Sequence, residues 1–208
     1  DDLEQRLGLF PWTVLAFHYL QPDVDWHNRV LFAVEAMNKR PVMIADAGFM
    51  YAAKMSGQAG AYDLFTPDAG ELAFLADETA PHPFYTRGFI LHEEGRVPAL
   101  IERAYSHENA ARRLLVKGKM DYLADARGIL ETVAEPESSA MEAMGGTGDT
   151  LTGLAAALVA SGMAVSKAAI LAARVNRLAG RLADPTPATQ VEALVRHIPR
   201  ALRQMLEG

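Results

Sequence analysis

Three features between Thr13 and Asp46 leave this chain few folds to choose from. Residues Thr13 to Tyr19 (TVLAFHY) are a compact apolar run behind Pro11, which reads as a buried strand. Asp25 to Met37 then places Val30, Leu31, Val34 and Met37 at helical spacing. Pro41 opens a second short apolar run, PVMIAD, that ends at Asp46. Strand, helix and strand in that order predict a βαβ unit. Its crossover makes the two strands parallel and lays a helix against the sheet.

The pattern continues. Asp63 to Thr66 reads as a strand end, with Pro67 placed to start a helix whose body is Glu71 to Ala76. Residues 77 to 96 carry Pro81 and Pro83 and read as a loop, and Val97 to Arg112 as a helix. Leu114 to Lys117, Asp121 to Ala124 and Ile129 to Val133, with Gly118 and Gly128 between them, predict an antiparallel meander attached to the parallel sheet. Beyond it the chain turns helical. Leu151 to Val159 is Ala-rich and closed by Gly162. Ser166 is expected to cap a second helix reaching about Leu182, and a third runs from near Thr189 to Leu206, disturbed at Pro199. The expected fold is three-layer α/β/α with a mainly parallel sheet and a small antiparallel meander, in a single domain over residues 1–208.

Composition removes several chemistries. The 208 residues contain no cysteine, which excludes disulfides, thiolate nucleophiles and Cys-held metals. Twenty basic against 26 acidic residues give a net charge of −6, which argues against a nucleic-acid partner. His18, His27, His82, His92, His107 and His197 include no HExxH, and zinc catalysis is not expected. Gly-x-Ser-x-Gly is absent, which weakens a serine-hydrolase reading. No apolar run is long enough to cross a membrane, and Asp1-Asp2-Leu3-Glu4 is no signal peptide, so a cytoplasmic location is expected. Trp12 and Trp26 read as packing or interface residues, and Arg112 and Arg113 as a solvated helix end.

The sharpest local signal is Gly145-Gly146-Thr147-Gly148-Asp149. A glycine-rich turn feeding a helix leaves backbone N–H groups free to hold an anion. Asp149 stands where the helix begins. It can cap that helix, or it can take the proton of a hydroxyl while the amides receive a transferring phosphoryl group. No GK[ST] follows the glycines, so this is no Walker A loop. Asp46, at a strand end, lies where ligands of open α/β sheets collect, and serves equally as a turn cap.

Three segments carry a resemblance: GGTGDTLTGLAAALVASG over Gly145 to Gly162, Thr66-Pro67-Asp68-Ala69-Gly70-Glu71, and Leu115-Val116-Lys117-Gly118. In order and spacing the chain resembles the ribokinase-like superfamily, and within it the ATP- or ADP-dependent NAD(P)H-hydrate dehydratases. The resemblance implies a reaction in which a hydroxyl of the hydrated nicotinamide ring is phosphorylated and phosphate then leaves, restoring NADH or NADPH. It implies Asp149 as the base and Gly145, Gly146, Thr147 and Gly148 as the anion-binding turn. Lys117 would lie beside the nucleotide and Glu71 would organise Mg²⁺ through water, while Asp46 is a candidate nucleotide-side residue from its place at the strand end. A small-molecule hydroxyl kinase of the same superfamily, and a nucleotide-binding relative without turnover, are the competing readings.

The chain also departs from that family. A DADALN-like segment is replaced by Ile44-Ala45-Asp46-Ala47-Gly48-Phe49-Met50, and a GPGLG-like turn by His18-Tyr19-Leu20-Gln21-Pro22-Asp23. Asp68 and Arg177 stand where, or close to where, the family carries histidine. The likeness covers roughly residues 13 to 183, and the family's first strands and helices find no counterpart. An N-terminally reduced domain is therefore expected, with a homo-oligomer covering the exposed edge of its sheet.

Overall fold

The computed structural model describes residues 5–7, 9–18, 23–80, 97–186 and 188–207. Six strands lie side by side in chain order: β1 (Val14–Phe17), β2 (Val42–Ala45), β3 (Leu64–Phe65), β4 (Leu114–Val116), β5 (Asp121–Asp125) and β6 (Gly128–Val133). β1 to β4 are parallel neighbours, and β4–β5 and β5–β6 are antiparallel. The mainly parallel sheet with a terminal meander is the architecture expected.

Alternation along the strands decides what covers each face. Met43 and Ala45 of β2, Phe65 of β3, and Leu114 and Val116 of β4 point into one core. That core is closed by α1 (Val24–Glu35), α2 (Ala47–Met55), α3 (Ala69–Ala76) and α4 (Val97–Ser106). Ile44, Leu64 and Leu115 point the other way, against α5 (Thr147–Ala160) and α6 (Val165–Ala183). Helices on both faces satisfy the period-two pattern of strands that are apolar on both sides. The last helix, α7 (Val191–Glu207), packs outside α6 through Leu194 and Ala201 against Val175 and Ala179.

Several local readings change. α2 was not anticipated. Ser166 is no cap: α6 begins at Val165 behind Ala164, and the Ser166 hydroxyl instead accepts from Arg113 Nε at 2.5 Å. Pro199 lies inside α7 without ending it, because packing on α6 sustains the helix around one missing N–H. α4 stops at Ser106, short of Arg112. Trp12 and Trp26 are exposed rather than packed in the core, Trp12 edge-on to exposed Phe10 and Trp26 beneath the Arg29 guanidinium. His27 is a core histidine, fully buried between Tyr62 Oη (2.9 Å from Nε2) and Ser56 Oγ (3.2 Å from Nδ1). Burial holds its pKa below the ordinary value. Residues 81–96, with His82 and His92, lie outside the described residues.

Arg177 ties the meander to α6. Its Nε donates to Asp121 Oδ2 at 2.7 Å, Nη1 to the Ala134 carbonyl at 2.9 Å, and Nη2 to the carbonyls of Gly118 (2.8 Å) and Lys119 (2.9 Å). Both charged partners are buried. Removing the cation leaves the buried Asp121 carboxylate without its counter-charge, with, among the described residues, only the Gly118 N–H at 3.1 Å still donating to it. Arg177→Ala should therefore cost about 3–5 kcal/mol in urea unfolding. The Arg177→Ala, Asp121→Ala double variant should be well short of the sum of the single effects. Additive effects would show that the pair does not act as a unit.

Candidate active site

Four strands deliver four polar residues to one edge. His18 directly follows β1, Asp46 follows β2, Thr66 follows β3 and Lys117 follows β4. The parallel register aligns Phe17 with Ala45 and Ala45 with Phe65, so His18, Asp46 and Thr66 stand in one row. Lys117 joins it through its backbone N–H, which donates to the Pro67 carbonyl at 2.7 Å. The carboxyl ends of parallel strands are where open α/β sheets place ligands.

Asp46 is the hub of the row. It is 1% exposed and caps α2, accepting from Ala47 N at 3.0 Å. Lys117 Nζ donates to its Oδ1 at 2.8 Å, and the Thr152 hydroxyl of α5 donates to its Oδ2 at 2.9 Å. Thr66 Oγ1 lies 2.9 Å from Thr152 Oγ1, which also lies 3.1 Å from the Gly148 carbonyl. Ala47 sits at φ +48°, a left-handed position that a side chain tolerates at a cost. The network around Asp46 holds it there.

Above the row stands the glycine-rich turn. Gly146, at φ +93°, is the N-cap of α5 and supplies no side-chain cap. The first backbone bond of the helix runs from Thr150 N to the Gly146 carbonyl, which leaves the preceding N–H groups of the first turn outside the helical ladder. Asp149 does not cap the helix: its Oδ1 lies 2.6 Å from His18 Nε2. A Cβ on Gly148 would sit 3.1 Å from Lys117 Nζ, so the absence of a side chain there lets the lysine reach the turn.

Glu71 completes the arrangement from α3. It closes a capping box with Asp68: Asp68 N donates to Glu71 Oε2 at 2.8 Å, and Glu71 N donates to Asp68 Oδ1 at 2.7 Å. Tyr51 Oη donates to Glu71 Oε1 at 3.3 Å, and Lys117 Nζ lies 3.9 Å from Oε2. Burial pushes the Glu71 carboxyl up to about 7; Lys117 opposes that, while Asp68 and Asp46 reinforce it. Burial draws Lys117 down, but Asp46 and Glu71 outweigh it and hold the ammonium above its ordinary value. Three carboxyl groups thus share one buried cation.

Asp46, Glu71, Lys117, Gly146, Thr147, Gly148 and Asp149 all come to this edge, with Gly145 at the start of the turn. Arg112 and Arg113 do not, being engaged by Asp63 and Ser166. Sequence reasoning passed over His18, Tyr51 and Thr152 as site residues. Thr152 had a signal, lying one helical turn beyond Gly148 inside the glycine-rich motif, whereas His18 stands next to the end of the first apolar run with nothing local to mark it.

Known proteins share these features. The sequence model of the NAD(P)H-hydrate dehydratase family, of carbohydrate-kinase type, matches residues 21–200. An uncharacterized protein of Methanocaldococcus jannaschii is 40% identical over 195 residues, covering 93% of this chain and 81% of that one. The ADP-dependent (S)-NAD(P)H-hydrate dehydratase of Cenarchaeum symbiosum is 29% identical over 149 residues, or 72% of this chain and 47% of the enzyme. The bifunctional NAD(P)H-hydrate repair enzyme Nnr of Pyrobaculum aerophilum is 30% identical over 164 residues, 78% of this chain and 30% of the enzyme. The chain thus spans less than half the length of the two relatives whose activity is named. In fold it resembles the pyridoxal kinase of Staphylococcus aureus bound to AMP-PCP and pyridoxal, with TM-score 0.61, 18% identity, 84% of this chain and 63% of the kinase. It also resembles a hypothetical protein of Streptococcus mutans, with TM-score 0.71, 17% identity, 99% of this chain and 70% of that chain.

The raised Glu71 carboxyl makes a prediction about stability. Its pKa stands at about 7 in the folded chain against 4.5 ordinarily, so between those values the folded state holds a proton that the unfolded state has released. Stability from this group is present below pH 4.5 and is lost as pH rises toward about 7. In chelator, wild type should lose stability relative to Glu71→Gln across that window, by on the order of 3 kcal/mol. Urea unfolding of both proteins at several pH values measures the difference. A difference that is flat with pH would place the Glu71 carboxyl in an ordinary environment.

Proposed function

This chain belongs to the NAD(P)H-hydrate dehydratase family of carbohydrate-kinase type, and from that premise we propose that it dehydrates hydrated NADH or NADPH at the expense of ATP or ADP. The observation that carries the reading is the convergence of Asp149, the uncapped first turn of α5 and Lys117 at one end of the parallel strands. A ring hydroxyl is a poor leaving group and phosphate a good one. A site that first phosphorylates the hydroxyl needs little covalent chemistry of its own, only positioning and charge.

Each residue has a task in this reaction. The amides of Gly146, Thr147 and Gly148 receive oxygens of the transferring phosphoryl group, aided by the positive end of α5. Lys117, anchored by Asp46, offers its ammonium beside the glycine turn and balances phosphate charge. Removal of the hydroxyl proton depends on the carboxylate of Asp149. The donor set also fits Mg²⁺. Glu71, Asp68 and Asp46 stand around the ammonium of Lys117, and burial raises the Glu71 carboxyl with Asp68 and Asp46 adding to it. A hard cation carried by the nucleotide phosphates would be held through waters on Glu71, where it would neutralise phosphate charge.

Two variants test the assignment. Asp149→Asn should lower turnover ~10²–10⁴-fold while leaving nucleotide affinity nearly intact. Lys117→Ala should weaken nucleotide binding first. The assay is chromatographic recovery of NADH from its hydrate together with free phosphate, on variants shown by circular dichroism to be folded. Intact turnover in Asp149→Asn would remove Asp149 from the mechanism. A stable phosphorylated product would make the chain a kinase rather than a dehydratase.

A further inference from the structure

Nothing in the reaction as described uses His18, although it is the residue nearest to Asp149's carboxylate in the site. Its backbone is fixed at the end of β1, with the carbonyl accepting from Phe49 N at 3.3 Å. Its Nε2 lies 2.6 Å from Asp149 Oδ1 and 3.7 Å from Asp46 Oδ2. An ionised carboxylate only accepts, so the short contact places a hydrogen on Nε2, and the neutral ring then carries its lone pair on Nδ1. Among the described residues no group bonds to Nδ1. The charged groups around the ring are Asp149 from α5 and Asp46 at the head of α2. Lys117 binds Asp46 through the other oxygen, Oδ1, and Glu71 lies beyond Lys117. A ring that takes up a proton here meets two carboxylates. The ring is 43% exposed and Asp149 61% exposed, so both can reach a substrate.

We infer that His18 and Asp149 act on the substrate hydroxyl as a dyad: His18 Nδ1 accepts the proton while Asp149 holds Nε2–H and faces the imidazolium that forms. This rests on the phosphoryl-transfer reading and changes the role of Asp149 from immediate acceptor to orienting partner. In the step, the hydroxyl O–H bond breaks and its proton passes to Nδ1. The freed oxygen pair forms the bond to the terminal phosphorus of the nucleotide. The bond from that phosphorus to the bridging oxygen breaks, and its pair leaves with the shortened nucleotide. The Asp149 carboxylate keeps its charge throughout. An imidazole oriented by a carboxylate through its other nitrogen is the arrangement by which hydroxyl nucleophiles are activated on unrelated folds.

The test uses His18→Gly and His18→Gln beside wild type. A glutamine amide can donate to Asp149 but cannot carry the proton. Both variants should lose ~10²–10⁴-fold in kcat with the nucleotide KM little changed, and added imidazole should restore turnover to His18→Gly alone. A His18→Gln variant near wild-type rate would overturn the inference, since His18 would then only position Asp149. So would an unimpaired His18→Gly, or one that imidazole does not rescue. A second measurement needs no turnover. Nitrogen-15 spectra of the free wild-type protein should show His18 protonated at Nε2, with the signal displaced in Asp149→Asn. An Nδ1–H ring in wild type sinks the dyad whatever the substrate. An Nε2–H ring with the expected displacement, in a protein that leaves NAD(P)H hydrates untouched, supports the dyad and rejects the substrate assignment instead.

Discussion

The contact between Asp46 and Lys117 is the constraint from which the rest of the site is built. A carboxylate that is 1% exposed at the end of a central strand is untenable without donors. Its three donors come from three elements: the first N–H of α2, the lysine after β4 and a threonine of α5. Satisfying one buried charge therefore fixes three elements relative to the sheet edge. It brings α5 low enough for its glycine turn to meet Lys117, and a side chain at Gly148 would crowd that approach. A buried pair of this kind adds little net stability compared with an apolar pair of the same shape. What it supplies is position.

Much of the fold was legible because strand and helix periods were clean. β1, α1 and β2 appear within a few residues of where the apolar runs place them, and the meander follows its glycines. α2 was hidden because AGFMYAAKM has no polar stripe. Phe49, Met50, Ala52 and Ala53 are all buried, and even Lys54 is buried against the Phe74 ring. A helix apolar on every side gives no period to read. Ser166 failed as a cap because a serine near a helix start is a generic signal, and a partner 53 residues away, Arg113, claimed its hydroxyl. α7 survives Pro199 because tertiary packing outweighs local propensity over a single turn.

The site divides in the same way. Asp149, Lys117, Glu71 and the glycine turn lie in contiguous motifs, so the sequence names them. His18 becomes a site residue only through a contact across 131 residues of chain, and Thr152, though inside the glycine-rich motif, meets Asp46 only across 106. Such contacts belong to strand order and register, which no local window contains. Once the register aligns Phe17 with Ala45, however, the residue after each strand is forced into the same row, and His18 follows without further assumption.

That row also gives physical meaning to the departures from the family pattern. The Asp of the DADALN-like segment is kept as Asp46, and its donors are all within reach. The position expected to carry Asn is Met50, which is fully buried in the core of α2 and presents nothing to the site. One strand away, where the family resemblance leads to a glycine-rich turn, the chain instead begins with an imidazole that reaches across to Asp149. Neither Met50 nor His18 displaces the hydrogen bonds that Asp46 accepts from Lys117 and Thr152. The Asp46–Lys117 ion pair thus lies beneath both the glycine turn and the His18–Asp149 contact.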